Sequence, residues 1–329
     1  MKSDRGSSVA QMRTRIFDRG IRVGITGALV AGSLLALGVS GAAAAPPCPG
    51  SSPAILSAQI PGAALEGVTV DGQGRLYTTD LVSGRIFRVD GPGQAAVPIA
   101  TVPGGAGALA WSTDGSLLVG TGANAGVLIG DLTRAASVAR VDVNSGAVTP
   151  IAGGLSAANG LAVAHDGTIY ATNDFGSLIG KVSPNGSVDP AWATFPSANG
   201  AALSADNRWL YVSRTFANPG VSRISVDNPG YSESLVDLGG FETFSAPDGL
   251  TLDSRDRAII PTDISGEVWR IDGPGQYCSL TSGLQASSVL TYGRGNSGFA
   301  AGHLYRAGFD GKIFEIPAGF DAGAQAATP

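Results

Sequence analysis

The chain has few of the residues that most metal and nucleophile sites are built from. Its 329 residues include two histidines and two cysteines, and charged side chains make up only 14% of it. His165 and His303 are far apart, and Cys48 and Cys278 stand in no CxxC or Cys/His spacing, so no structural zinc site is expected. Long helical periodicity is missing, which argues against bundles and helical solenoids. Beyond about Val39 there is no further apolar run of membrane-spanning length. Positive charge is scarce as well. After residue 45 the chain carries 15 Lys and Arg against 24 Asp and Glu, a net charge of −9. That balance argues against nucleic acid and anionic membrane surfaces as partners.

What is present begins with a leader. Lys2, Arg5, Arg13, Arg15, Arg19 and Arg22 precede an apolar run from Val23 to about Val39, which ends at Ala43-Ala44-Ala45-Pro46. A basic start, an apolar middle and an A-x-A end read as a signal peptide over residues 1–45, with an uncleaved anchor as the alternative. Export leads us to expect a secreted protein with no stable membrane association, in which Cys48 and Cys278 form a disulfide. Residues 46–318 are expected to form the folded domain, residues 319–329 a flexible tail, and the whole a monomer.

The rest is Gly, Pro, Asp and Asn set between short β-branched and aromatic runs, the pattern of many short strands joined by tight turns. It repeats. EGVTVDGQGRLYTTD starts at Glu66, NGLAVAHDGTIYATND at Asn159, NGAALSADNRWLYVS at Asn199 and DGLTLDSRDRAIIPTD at Asp248. Divergent copies cover residues 107–142 and 287–316. Six units at a pitch of about 40–50 residues fit the blades of an all-β, six-bladed β-propeller. The last unit lacks a fourth strand, whereas the spare strand Ala54–Ile60 precedes the first unit. It is expected to pair as the outer strand of blade six and close the ring. Cys278, in the outer strand of blade five, then faces Cys48 on the neighbouring blade.

In a propeller the first strand of each blade lines a central channel. Counting back eight residues from the turns at Gly74, Gly115, Gly167, Asn207, Asp256 and Gly295 gives Glu66, Gly107, Asn159, Asn199, Asp248 and Ser287. Any one Asn-Gly or Asp-Gly reads as a turn. Four oxygen acceptors at a single repeat phase read instead as a ring of ligands, since converging carboxylates need a counter-charge. Glu66, Asn159, Asn199 and Asp248 suit a hard cation, Ca²⁺ in a wide irregular ring, with Mg²⁺ or another divalent cation as the alternative.

Those same motifs resemble the senescence-marker-protein/gluconolactonase family of calcium-dependent six-bladed propellers, relatives of diisopropyl-fluorophosphatase and the paraoxonases. The resemblance covers essentially the whole chain after the leader. It implies one calcium held by Glu66, Asn159, Asn199 and Asp248, a small-molecule lactone, ester or organophosphate as substrate, and Asp248 as base or nucleophile beside the metal. Gluconolactonase-type members carry an Arg two residues before the blade-three Asn; here that position is Ala157, which speaks against sugar-acid lactones. The paraoxonase-type histidine pair is missing, because His165 and His303 fall near inner turns. Second strands should end on the metal face, at Asp80, Asn173, Asp174, Arg214 and Asp263. From these Asn173, Arg214 and Asp263, with Phe244 from the segment entering blade five, are candidate substrate contacts; Arg214 could grip an anion. Competing functions are a non-catalytic ligand- or protein-binding propeller with a structural calcium, and a metal-free strictosidine-synthase-like enzyme.

Overall fold

The computed structural model describes residues 44–325. The expected leader, residues 1–45, lies outside the described residues except for its last two. Among the described residues, no helix is long and apolar enough to cross a membrane.

Six four-stranded antiparallel sheets follow one another along the chain. Blade one is Leu65–Val70, Leu76–Asp80, Arg85–Val89 and Ala96–Thr101. The first strands of blades two to six are Ala106–Trp111, Leu161–Val163, Ala198–Leu203, Thr251–Leu252 and Ser287–Tyr292. Blade six takes only three strands from its own end of the chain. Ile55–Gln59 supplies the fourth, pairing antiparallel with Lys312–Glu315, so the ring is closed by the N-terminal strand as expected.

In blade one the first two strands, Leu65–Val70 and Leu76–Asp80, are buried throughout, while the outer strand Ala96–Thr101 is half exposed. Apolar side chains between neighbouring blades form the core. Tyr77 of blade one packs edge-on against Trp111 of blade two, 5.6 Å between centroids, and Trp111 also donates to the Val70 carbonyl. The turns after the first strands explain the repeated Gly, Asn and Asp. Gly74, Gly115, Gly167, Asn207 and Asp256 all adopt positive φ, which these residues tolerate best.

Blade six breaks that pattern. Its first strand is followed by an irregular segment in which Gly293 and Gly295 bridge Ala301 and Ala300. A count back from Gly295 therefore slips by one residue, and the position expected at Ser287 belongs to Ser288, which carries the bulge of this strand.

The disulfide joins Cys48 to Cys278. Around it the N-terminal segment lies along the outer edge of blade five: the Cys48 N–H donates to the Ser279 carbonyl at 2.8 Å, and the Ser279 N–H to the Pro46 carbonyl at 2.8 Å. The stretch expected as a flexible tail is held as far as Gln325. Asp321 accepts the Ser254 N–H and hydroxyl, and the Gly302 N–H donates to the Ala324 carbonyl. These contacts fix residues 321–325 across one end of the channel.

Candidate metal centre

Four ring positions sit where the inner strand is distorted, and Asn159 and Asp248 lie just before the first strands of their blades. The pairing of first and second strands slips between Leu65 and Val68, Ala106 and Leu109, Ala198 and Ala201, and Ser287 and Val289. Such a bulge leaves one residue out of the ladder and re-aims its side chain, here toward the channel. Glu66, Gly107, Asn199 and Ser288 occupy those slips. The glycine after each ligand lies where adjacent inner strands approach most closely. A Cβ on Gly67 would stand 2.5 Å from the Gly107 carbonyl, and one on Gly160 would stand 2.3 Å from the Asn199 carbonyl. The Asn-Gly and Asp-Gly pairs are thus spacers between blades rather than turns.

In blades one and three a single hydroxyl locks this approach, and in blade four a hydroxyl holds the glycine. Thr79 Oγ1 accepts the Gly67 N–H at 2.7 Å and donates to the Gly107 carbonyl of the next blade at 2.8 Å. Thr172 Oγ1 accepts the Gly160 N–H at 3.0 Å and donates to the Asn199 carbonyl. Ser213 Oγ accepts the Gly200 N–H at 2.9 Å.

Glu66, Asn159 and Asn199 line one channel with a cavity volume of about 380 Å³, and Gly249, next to Asp248, lies in its wall. His165, Asn207 and Asp256 line the same channel, which Gly323, Ala324 and Gln325 also border. Ser288 Oγ donates to Glu66 Oε2 at 2.7 Å, Asn199 Nδ2 donates to Thr215 Oγ1 at 2.9 Å, and the Gly249 N–H donates to Asp248 Oδ1 at 2.9 Å.

The electrostatics are those of anions without a partner. Burial pushes the Glu66 carboxyl up to about 8; the Ser288 hydroxyl opposes this, while Asp174 and Asp263 reinforce it. Burial, then repulsion from Glu66, Asp263 and Asp174, holds Asp248 well above the usual carboxylate range against the Gly249 N–H. Burial lifts Asp174 to about 6 despite a hydrogen bond from Asn159, and Asp174 Oδ1 is buried with no hydrogen-bond partner. Asp263 is raised by burial and eased by Arg306.

This donor set fits a hard divalent cation. Its atoms are oxygens, its charge is negative, and an orphaned carboxylate oxygen lies beside it. Among the described residues no group of three or more His, Cys, Asp or Glu side chains is arranged to hold an ion by itself, so a cage here must recruit the carboxamides of Asn159 and Asn199.

The other candidates divide. Asp263 joins the carboxylate cluster. Asn173 is buried, and its amide group donates to the Val127 carbonyl and Ser156 Oγ while Oδ1 accepts the Phe175 N–H, so it serves the scaffold rather than substrate. Arg214 turns onto its own blade, where Nη2 meets Asp237 Oδ1 at 2.6 Å and the Val236 carbonyl at 2.8 Å. Phe244 ends a short 3₁₀ turn and is exposed. His303 pairs with Glu315 at 2.8 Å. Sequence reasoning missed Ser288, masked by the slipped count, and Arg306. Arg306 is fully buried, with Nε on Ser287 Oγ at 2.6 Å and Nη1 on Asp310 Oδ1 at 2.7 Å.

A six-bladed propeller with oxygen donors from four blades at its hub defines the class of protein. Within that class the chain belongs to the SMP-30/Gluconolactonase/LRE-like family, whose model matches residues 64–293. It is 27% identical over 225 residues to Lactonase drp35 of Staphylococcus aureus strain USA300; the match covers 63% of this chain and 66% of that protein, just under two thirds of the relative's length. Two solved structures share the fold. A gluconolactonase from Xanthomonas campestris superposes with a TM-score of 0.65 at 18% identity, covering 81% of this chain and 98% of that one. A calcium-binding protein, regucalcin, from Agrobacterium tumefaciens strain C58 gives 0.60 at 17% identity, covering 84% and 96%.

Proposed function

We propose that this protein is an exported, calcium-dependent hydrolase of lactones or esters. The observation that carries this reading is the hub, where buried Glu66, Asp248 and Asn199 stand with half-buried Asn159 and, among the described residues, no cationic side chain is hydrogen-bonded to either carboxylate. Burying two carboxylates in company is costly unless a cation neutralises them. The names of the similar proteins, a lactonase, a gluconolactonase and a calcium-binding protein, point the same way. Export is supported by the leader pattern and by the oxidised Cys48–Cys278 pair.

Calcium would be held by Glu66, Asn159, Asn199 and Asp248, and when bound it polarises the substrate carbonyl. The remaining work falls to Asp248. Its Oδ1 is committed to the Gly249 N–H, which leaves Oδ2 for chemistry. As a base, Asp248 takes a proton from water while the water oxygen bonds the carbonyl carbon. The carbon–oxygen bond of the ring then breaks, and the proton passes to the leaving alkoxide to give the hydroxy acid. As a nucleophile, an Asp248 carboxylate oxygen bonds the carbonyl carbon while the ring carbon–oxygen bond breaks, giving a mixed anhydride and an alkoxide; water then hydrolyses the anhydride, one of its protons going to the alkoxide and Asp248 leaving as the carboxylate. Either role needs an ionised carboxylate.

Protein recovered from outside the cell, expected to begin at Pro46, is the material for the test. It should retain one calcium per chain after mild dialysis and should hydrolyse lactones or aryl esters until a chelator is added. Asp248→Asn should lower kcat by at least about a hundredfold, the ordinary value of a positioned base. A metal-free channel would overturn the calcium assignment, and full turnover by Asp248→Asn would overturn the mechanism. Bound calcium with no turnover on any substrate would leave a ligand-binding propeller.

A further inference from the structure

Large apolar side chains that the fold leaves uncovered follow the second strands, next in sequence to residues of the hub network. Phe175 and Phe216 stack on one another, 4.7 Å between centroids and 23° between planes, yet they are 48% and 56% exposed. They are fixed to the hub. Phe175 follows Asp174, the carboxylate hydrogen-bonded by Asn159, and Phe216 follows Thr215, which accepts the Asn199 amide at 2.9 Å. Ser197 ties the two loops together: its hydroxyl donates to the Asp174 carbonyl at 2.8 Å and accepts the Phe216 N–H at 2.8 Å. Beside them, Leu128 and Ile129 stand exposed on the blade-two insertion, which Asn173 anchors through the Val127 carbonyl. Ile264, also exposed, follows Asp263. Apolar side chains at the rim of a concave site are what an apolar ligand group covers.

The polar groups of this face exclude other occupants. Arg214 is spent on Asp237, and Arg306 is fully buried on Asp310 and Ser287. The hub beneath holds four carboxylates, Glu66, Asp174, Asp248 and Asp263. An anionic substrate would meet like charge with neither Arg214 nor Arg306 free to offset it, and a polyol would find few donors among Phe, Leu and Ile. We infer that Phe175 and Phe216 form a selectivity clamp for an aryl or alkyl group on a neutral lactone or ester whose carbonyl lies over the hub. This rests on the hydrolase reading of the same site.

The test compares γ-butyrolactone with its phenyl-substituted form as substrates, and the matching lactams as binders that are not hydrolysed. The wild type should favour the phenyl lactone by about tenfold or more in kcat/KM, the range expected for covering one aromatic group. Phe175→Ala with Phe216→Ala should lose about that factor on the phenyl lactone and weaken the phenyl lactam by a similar factor in calorimetry, with the unsubstituted pair within about twofold. Both rings are half exposed, so the melting temperature should stay put, and Phe175→Leu with Phe216→Leu should recover part of the preference. Equal losses on both lactones, or no loss, would overturn the clamp. So would variants with wild-type kinetics that lose only binding to phospholipid vesicles, because the rim would then serve a surface. If no lactone turns over but the lactam affinities divide as described, the clamp stands and the hydrolase reading falls. If both lactones turn over equally, the hydrolase reading stands and the clamp falls.

Discussion

Thr172 satisfies two backbone groups with one hydroxyl. It accepts the Gly160 N–H within blade three and donates to the Asn199 carbonyl in blade four, so it sets the spacing of two ring ligands while touching neither side chain. Thr172→Val keeps the shape and removes both bonds, leaving a buried donor and a buried acceptor unpaired. The expected cost is roughly 2–6 kcal/mol, 1–3 for each orphaned group, and Thr172→Ser should recover most of it. Denaturant unfolding measures the loss, and calcium titration should show weaker binding as Asn159 and Asn199 lose their register. A change below about 0.5 kcal/mol, the size of an ordinary surface substitution, would show that the hydroxyl is incidental. The ring positions themselves were legible in the sequence because a fixed repeat phase selects them. The hydroxyls recur at a fixed phase too, at Thr79, Thr172, Ser213 and Thr262, but Ser and Thr are frequent enough that phase alone did not mark them. Ser288 was hidden for another reason, since its blade has no tight turn to count from.

Among the elements, the segment between the second and third strands of blade two stands out. Residues 122–135 replace a short loop with a 3₁₀ turn, Ala125–Ile129, and one helical turn, Gly130–Thr133. Neither is long enough to be stable alone. Asp131 pins the segment to blade three. Its carboxylate accepts the Ser156 hydroxyl at 2.6 Å, the Ser177 N–H at 2.7 Å, the Ser177 hydroxyl at 2.9 Å and the Leu178 N–H at 3.3 Å. Burial alone would raise this carboxyl; the hydrogen bonds from Ser156, Ser177 and Leu178 outweigh burial and hold it below its ordinary value. The sign follows from that depression. The tether is at full strength above the ordinary carboxylate range and is lost as pH falls through the lowered folded value. Hydrogen exchange at residues 122–135, corrected for the intrinsic rate, should speed up in acid and should already be fast at neutral pH in Asp131→Ala, with the global unfolding midpoint much less affected. Protection unchanged in that variant would mean that apolar packing holds the insertion. Its presence was not legible as an element, because GANAGVLIGDLTRAAS has no helical period long enough to separate it from a loop. The blades were legible because their turns repeat.

At the scale of the molecule the ring is closed twice. At the rim, residues 46–52 run beside the outer strand of blade five and Ile55–Gln59 completes blade six, with Cys48–Cys278 bridging the two across 230 residues of sequence. At the hub, Glu66, Asn159, Asn199 and Asp248 come from four different blades, so a cation there would fasten blades one, three, four and five to a common point. Opening the first closure by Cys48→Ser with Cys278→Ser frees the unfolded chain from a very long loop, a loss of about 5 kcal/mol on the chain-entropy model and typically 2–5 in practice. Opening the second by chelation removes the binding term, about 2.7 kcal/mol when calcium is at a hundred times its dissociation constant. Rim and hub share no residues, and interactions that far apart add to within about 0.5 kcal/mol. Calcium should therefore stabilise the disulfide-free variant and the parent protein by the same amount in denaturant titrations. A calcium increment that shrinks sharply once the disulfide is gone would mean that the rim bond holds the hub ligands in register, and that the two closures are a single device. Equal increments would mean that each blade set carries its own geometry, with the N-terminal strand serving the fold and the four-blade hub serving the chemistry.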